Sequence, residues 1–557
     1  MSLSNRAIIR SLRLTRSRTY PKQHLGLRNN HKQLRSAHRI SRAAPPTQRP
    51  HSGRPVHSAI DPITLLATAA ISAGIAYFAT AYIDTEKNKD PTGAAEVADE
   101  AQVARGELET DDMAAQIPPG RPGNLTPDQE VKLREMWSAT LDVFGVAHET
   151  DHTESNGTST PSSEAAPETK KKSRMSLFGK KKNRLSTAST TSDGDTNDKY
   201  GQTKEFQQAL ASQTPEQLRE AFWSMTKHDH PDALLLRFLR ARKWDVQAAL
   251  IMLVSTMHWR STEMHVDDSI MSQGEAHALS ETLSSNPAEK KEGTDFMAQL
   301  RMGKSFLHGT DKDGRPCCYV RVKLHRQGEQ SERSLERFTV YTIETARMML
   351  RPPVDTATIV FDMTGFSMAN MDYTPVKFMI KCFEANYPES LGSVLVYKSP
   401  WIFQGVWKII KGWLDPVVAA KVHFAGDVDE LSQWIAKAQI PKELGGNEDW
   451  TYSYVEPVEG ENKAMSDTAS RDQVLAERKE LVSSYEHEVS SWVAGEGSGE
   501  GRSRIAQRLA ENYWRADSFL RAKSLYDRTG VIGQGGKLDF YPRAAAASGG
   551  VHHNELD

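Results

Sequence analysis

Cysteine is scarce. Three thiols in 557 residues, Cys317, Cys318 and Cys382, exclude a disulfide framework and a cysteine-rich zinc module, and leave unpaired reduced thiols in a core as the reading. Apolar residues are also few for this length. They make up 38 %, and exchanging tyrosine for glycine in that set raises the share only to about 42 %, below the ~45–50 % of ordinary globular domains. The expectation is one folded domain of about 250–280 residues flanked by long polar segments. Net charge is only −2, which excludes nucleic-acid binding by bulk electrostatics. There is no G-x-x-x-x-G-K-[ST], no G-x-S-x-G elbow and no Cys/His cluster. With none of these, the chain reads as non-enzymatic and without a cofactor or metal.

Acidic residues are missing from the first 60 positions, which carry eleven Arg, two Lys and five His. An acid-free leader rich in Arg and Ser has the composition of a mitochondrial transit peptide. The alternatives are an unstructured basic tail, or translation that begins near Met113 and never makes the leader. Pro62 to Ile83 is then an uncharged run of 22 residues, about 33 Å as a helix, enough to cross a bilayer core of ~30 Å. Tyr77, Phe78 and Tyr82 near its end suit an interface. The expectation is a transmembrane helix at 62–83 with residues 1–60 on the cytosolic or matrix side. That makes the chain a membrane-anchored protein, mitochondrial for preference. Without residues 1–112 it would be cytosolic and peripheral on endomembranes.

Residues 84–120 read as an acidic linker. Thr126-Pro127-Asp128-Gln129 then supplies an N-cap, a first-turn proline and a glutamine three residues on, and opens a helix within 120–146. Residues 148–200 have the composition of disorder. Inside them KKKSRMSLFGKKKNR (170–184) holds eight basic residues and no acid, a pattern for anionic membrane that phosphorylation of Ser173 or Ser176 would weaken, or else a solvated charge run.

From Glu205 helix signals are dense. Pro215 and Pro231 sit at first-turn positions, and Asp245 is an N-cap for the second of two helices joined near Lys243. After residue 300 the period changes. KSFLHGTDKDGRPCCYVRVKL reads as strand, turn (Asp311–Gly314) and strand, with Tyr319, Arg321 and Lys323 alternating against Val320, Val322 and Leu324. Leu335 to Leu350 is helical. TATIVFDM (356–363) and SVLVYK (393–398) are buried-looking strands separated by a helix, and Val422 to Phe424 adds a short one, so a parallel or mixed sheet follows. The expected fold class is α/β: a helical region (203–262), then a mixed-sheet domain (290–456). Two charged helices, about 466–494 and 502–527, close a C-terminal stretch (465–530).

RFLRARKWDV (237–246), GRP (314–316), FDMTG (361–365), YPESLG (387–392), SPWIF (399–403), WLDPVVAAKV (413–422) and IPKELGG (440–446) occur in the order of the CRAL-TRIO lipid-binding domain. The chain resembles that family over residues 120–146 and 203–456, in particular the fungal phosphatidylinositol transfer proteins. The resemblance implies phospholipid as ligand, a membrane surface as partner, and three headgroup contacts. Arg242 and Lys421 meet the phosphate and headgroup, and Glu389 accepts from the inositol hydroxyls and is placed to pair with Lys421. Where the family often has a threonine, Val418 stands. Ala357 and Ile359 replace the hydroxyl residues of members that bind phosphatidylcholine, which favours phosphatidylinositol or another apolar ligand.

WIFQGVWKIIKGWL (401–414) has Ile402, Val406, Ile409 and Trp413 in one helical stripe and Phe403, Trp407, Ile410 and Leu414 in the next. The resemblance makes this stretch a mobile gate over the lipid pocket, with Trp401, Trp407 and Trp413 suited to a membrane interface. The implied function is non-enzymatic binding and intermembrane transfer of phosphatidylinositol. The alternative is a membrane-tethered lipid-sensing or interaction protein whose pocket is empty or holds a sterol or isoprenoid.

Overall fold

The computed structural model describes residues 117–146 and 198–542, all within one compact unit, Glu109–Asp557. The basic leader, the 62–83 run and the 170–184 polybasic run lie outside the described residues. Among the described residues no helix is long and apolar enough to cross a membrane.

The first helix, α1 (Pro127–Phe144), starts on the expected capping box, with Thr126 accepting from Gln129 N and the Gln129 side chain returning to the Thr126 N–H. Four helices follow: α2 (Gln202–Ser212), α3 (Pro215–Thr226), α4 (Pro231–Ala241) and α5 (Val246–His258). Proline at the first turn of α1, α3 and α4 costs nothing, since its missing N–H would have been unpaired. Lys243 and Trp244 join α4 to α5 through positive φ of 51° and 67°, and Asp245 caps α5 as expected.

Their apolar faces meet around Trp137, Phe222, Leu235, Phe238, Leu239 and Leu253, each at most 1 % exposed. This core also takes in Tyr485, Val489 and Trp492 of α13 (Thr468–Ala494) and Leu509 of α14 (Gly501–Leu520). The C-terminal helices are thus part of the folded body, which exceeds the expected ~250–280 residues. Buried Asp232 ties the bundle together, accepting from Trp137 Nε1 (2.7 Å), Tyr485 Oη (2.7 Å) and Arg502 Nε (3.1 Å). Glu486 does the same for Arg219 (2.7 Å, both oxygens) and Trp223 Nε1 (2.8 Å). Helix α14 stops at Leu520 rather than near 527, because Arg521 is extended and its guanidinium binds Asp517 and Asp527. The end of the 84–120 stretch is also structured: Arg121 pairs with Asp355 (3.1 Å), and Gly120 O accepts from Arg240 (2.7 Å).

After α6 (Ser272–Glu281) and α7 (Pro287–Arg301) comes the sheet. Its strands are β1 (Ser305–Thr310), β2 (Pro316–Arg321), β3 (Ala357–Asp362), β4 (Leu391–Tyr397) and β5 (Val422–Ala425), in spatial order 1-2-3-4-5. The β1/β2 pair is antiparallel and the others are parallel, a mixed sheet as expected. Strand β2 ends at Arg321, not Leu324, because Val322–Leu324 turns into a 3-10 helix whose Val322 carbonyl takes the His325 N–H. Between strands lie α8 (Glu332–Met348) and α9 (Tyr373–Lys381), then α10 (Phe403–Lys411) and α11 (Pro416–Ala420). Buried Glu275 anchors the C-terminal turn α15 (Leu525–Arg528) on the domain, accepting from Leu525 N (2.9 Å), Tyr341 Oη (2.7 Å), Tyr454 Oη (2.8 Å) and Arg528.

Candidate lipid cavity

Period-two alternation sends successive strand residues to opposite faces. Cys317, Tyr319, Val360, Leu395 and Tyr397 pack on one side against Leu431, Ile435 and Ile440. Cys318, Val320, Ile359, Phe361, Val394 and Val396 point the other way and floor a cavity of about 300 Å³, at the low end of the ~300–1,000 Å³ of ligand pockets. Helices α8 and α9 wall it with Phe338, Ile343, Val376 and Met379, and α10 covers it with Phe403, Trp407 and Ile410. Thr339 and Thr342 also line it, but their hydroxyls donate to the helix carbonyls of Leu335 and Phe338 (2.8 Å each), so the wall stays apolar. Ala357, Ile359 and Val418 also line the cavity.

The cavity has polar ends. Ser390 and Arg347 lie at the end where the parallel strands begin. At the other end, Lys304 bonds Gln330 Oε1 (2.8 Å), and burial pushes its ammonium down to about 8. Nearby, burial and then Lys304 lower His325, which meets Asp372 at 3.3 Å. Sequence reasoning missed Lys304, His325 and Asp372. Their signal was weak, since each stands at the end of an element where turn and cap roles explain it equally well.

Of the three expected headgroup residues, two come together. Lys421 Nζ and Glu389 Oε2 are 3.7 Å apart, each about a quarter exposed, beside the cavity-lining Ser390 and Val422. Glu389 has a positive φ of 53°, and its carbonyl is held by Arg237 (2.8 Å). Arg242 is set apart. It donates to Gln202 Oε1 (2.5 Å) and faces Asp415, Asp198 and Glu384, while burial lowers its guanidinium.

The gate stretch sorts into two sides. Phe403, Trp407, Ile410 and Leu414 line the cavity, and Val406 is buried beside Phe403. Ile402 and Ile409 point out, and Trp401 is 86 % exposed. Helix α10 is shorter than 401–414. Trp401 and Ile402 form the turn before it, and at its end Gly412 caps and Asp415-Pro416 begins α11. Trp413 stacks edge-on against Tyr373 (5.2 Å), with Lys377 over its ring (4.9 Å). All three cysteines are free and buried, and burial raises their thiols, Cys318 to about 11. None is poised as a nucleophile.

Comparison with known proteins gives a consistent picture. Residues 300–446 match the CRAL/TRIO domain model and 202–255 its N-terminal domain. A CRAL-TRIO domain-containing protein of Schizosaccharomyces pombe is 43 % identical over 424 residues, 74 % of this chain and 92 % of that protein. A phosphatidylinositol transfer protein of Eremothecium gossypii is 36 % identical over 448 residues, 75 % of this chain and 100 % of that protein. The Sec14 cytosolic factor of S. pombe is 30 % identical over 234 residues, 39 % of this chain and 74 % of that protein.

Proposed function

This chain belongs to the CRAL-TRIO family of lipid-binding and lipid-transfer proteins, and on that premise we propose that it withdraws one phosphatidylinositol molecule from a membrane and delivers it to another. The observation that carries this is the pairing of an apolar cavity under α10 with the Glu389–Lys421 pair beside its lining. The acyl chains occupy the cavity. The phosphodiester takes Lys421, and Glu389 turns from Lys421 to the inositol hydroxyls, since a buried polar headgroup needs both donors and acceptors. Arg242, at the end of α4 beside Asp415, adds positive charge. The transfer relative from E. gossypii supports this choice of lipid, as do Ala357 and Ile359, which offer a choline headgroup no hydroxyl. The work is exchange without bond chemistry. Helix α10 swings aside at the bilayer, with Trp401, Ile402 and Ile409 entering the interface beside Lys408 and Lys411.

Native mass spectrometry of the purified protein tests the ligand: a stoichiometric phosphatidylinositol is expected, and a sterol, an isoprenoid or an empty pocket overturns the reading. The double substitution Glu389→Ala, Lys421→Ala should lower phosphatidylinositol transfer by about 10- to 150-fold, the loss of ~1.5–3 kcal/mol from charged hydrogen bonds, with folding intact. We further infer from residues 1–83 a tether in a mitochondrial membrane. Residues 1–90 fused to a fluorescent protein should then colocalise with mitochondria and resist carbonate extraction. A diffuse signal would leave a carrier without an anchor.

A further inference from the structure

Glu384 lies in the turn between α9 and β4, and its side chain is 7 % exposed. A carboxylate so enclosed needs donors, and it has three from two separate segments. Lys199 Nζ (2.8 Å) and Tyr200 Oη (2.6 Å) come from the stretch before α2. The backbone N–H of Asp415 (2.7 Å) comes from the link between α10 and α11. Lys199 also donates to the carbonyl of Trp413 in that same link. The carboxylate and the lysine thus each bridge the two segments. The arrangement is reinforced from below, where Gln202 takes Arg242 Nη2 (2.5 Å) and gives its amide to Ala385 O (3.1 Å). Burial and the Glu384 charge both keep the Tyr200 phenol protonated, so it stays a donor.

The link 412–415 is the C-terminal hinge on which α10 turns if it is to uncover the cavity. Moving it separates Asp415 N from Glu384 and Trp413 O from Lys199. We propose that Lys199 and Tyr200 are positioning residues that act through Glu384 as a latch on this hinge, holding α10 over the cavity and setting how often it opens. The proposal rests on the reading of α10 as a gate. It also gives the 198–200 stretch a role that the sequence, read as the tail of a disordered insertion, did not suggest.

The test uses the full chain with Lys199→Met plus Tyr200→Phe, and hydrogen exchange resolved along the backbone. Amide exchange across 403–415 should rise by about threefold to tenfold, in line with the loss of the Lys199 and Tyr200 side-chain hydrogen bonds, while β3 and β4 keep their protection. Transfer of phosphatidylinositol between phosphatidylcholine vesicles should speed up by a similar factor, and Lys199→Arg should restore the slow rate. High salt, which screens a half-exposed ion pair, should speed the wild type and leave the double variant unchanged. Unaltered exchange at 403–415 overturns the latch, as does a rise spread equally over β3 and β4. A confined rise with no change in lipid transfer keeps the latch and instead overturns the gate.

Discussion

The two faces of the sheet are built from the same kinds of residue and do different things. Leu395 and Tyr397 on one face and Val394 and Val396 on the other are neighbours on β4, all buried. The first pair is met by side chains that fill the space opposite, Leu431, Ile435, Ile440 and Leu444, and the Tyr397 hydroxyl donates to Leu444 O. The second pair is met by α8, α9 and α10, which stand off and leave room for a ligand. Side-chain type makes both faces apolar. What lies across from each decides whether it becomes a filled core or a cavity.

The difference is sharpest in energetics. Leu395→Ala opens a void in a filled core and should cost ~2–5 kcal/mol, whereas Val396→Ala only enlarges a space that already exists and should cost ~1 kcal/mol. Urea denaturation of both variants checks this, and equal losses would mean the second face is filled in solution. Ile359→Phe sharpens the comparison from the other side. Growing a side chain into the cavity should leave stability within ~1.5 kcal/mol and lower lipid uptake by about tenfold or more, read by mass spectrometry of the loaded protein. On the outside of the cover, Trp401→Ser should weaken binding to anionic vesicles by about threefold while stability changes by less than ~0.5 kcal/mol, since Trp401 is almost fully exposed.

The packed face also carries the smaller pH effect. His308 meets Glu448 at 2.9 Å, under the ring of Trp450. Burial holds the imidazole down at about 4 and pushes the carboxyl up to about 7. Against unfolded values of ~6.5 and ~4.3, the histidine's burial cost is absent above pH ~6.5 and grows as pH falls toward 4. The glutamate's cost is absent below pH ~4.3 and grows as pH rises to 7. Between pH ~5 and ~6 the slopes cancel, because the folded pair holds one proton and so does the unfolded pair. Glu448→Gln removes one slope, so its denaturation midpoint should fall as pH drops from 6.5 to 4, more steeply than in the wild type. Parallel curves would show that the two groups do not titrate as a pair.

Much of this was legible because the signals are local. Thr126-Pro127-Gln129 and Asp245 mark helix starts through bonds within three residues, and the alternation of Tyr319 against Val320 assigns each to its face from spacing, up to Arg321 where the strand ends. The Glu389–Lys421 pair came from the family resemblance, and the structure brings the two side chains together. What stayed hidden depends on distant partners. Helix α13 presents Leu481, Tyr485, Val489 and Trp492 to a bundle that begins more than 200 positions earlier, and buried Glu486 looks like surface charge until Arg219 is seen beside it. The resemblance put Arg242 at the phosphate, and the structure shows its side chain bonded to Gln202 at the start of α2. Lys199 and Tyr200 carried no signal, since nothing local links them to a hinge two hundred residues away.

Strand β1 stands at the rim of the sheet, with its outward amides facing away from β2. Two of them are closed by phenols from the far end of the chain: Leu307 N donates to Tyr526 Oη (2.7 Å) and Thr310 N to Tyr541 Oη (3.2 Å). An open rim of this kind is a template for a second chain to add a strand. The tail therefore closes an edge along which a second copy of the chain would otherwise pair. Removing residues from Tyr526 onward would leave the cavity lining in place and uncover a strand-pairing edge, giving a chain that seeds its own stacking.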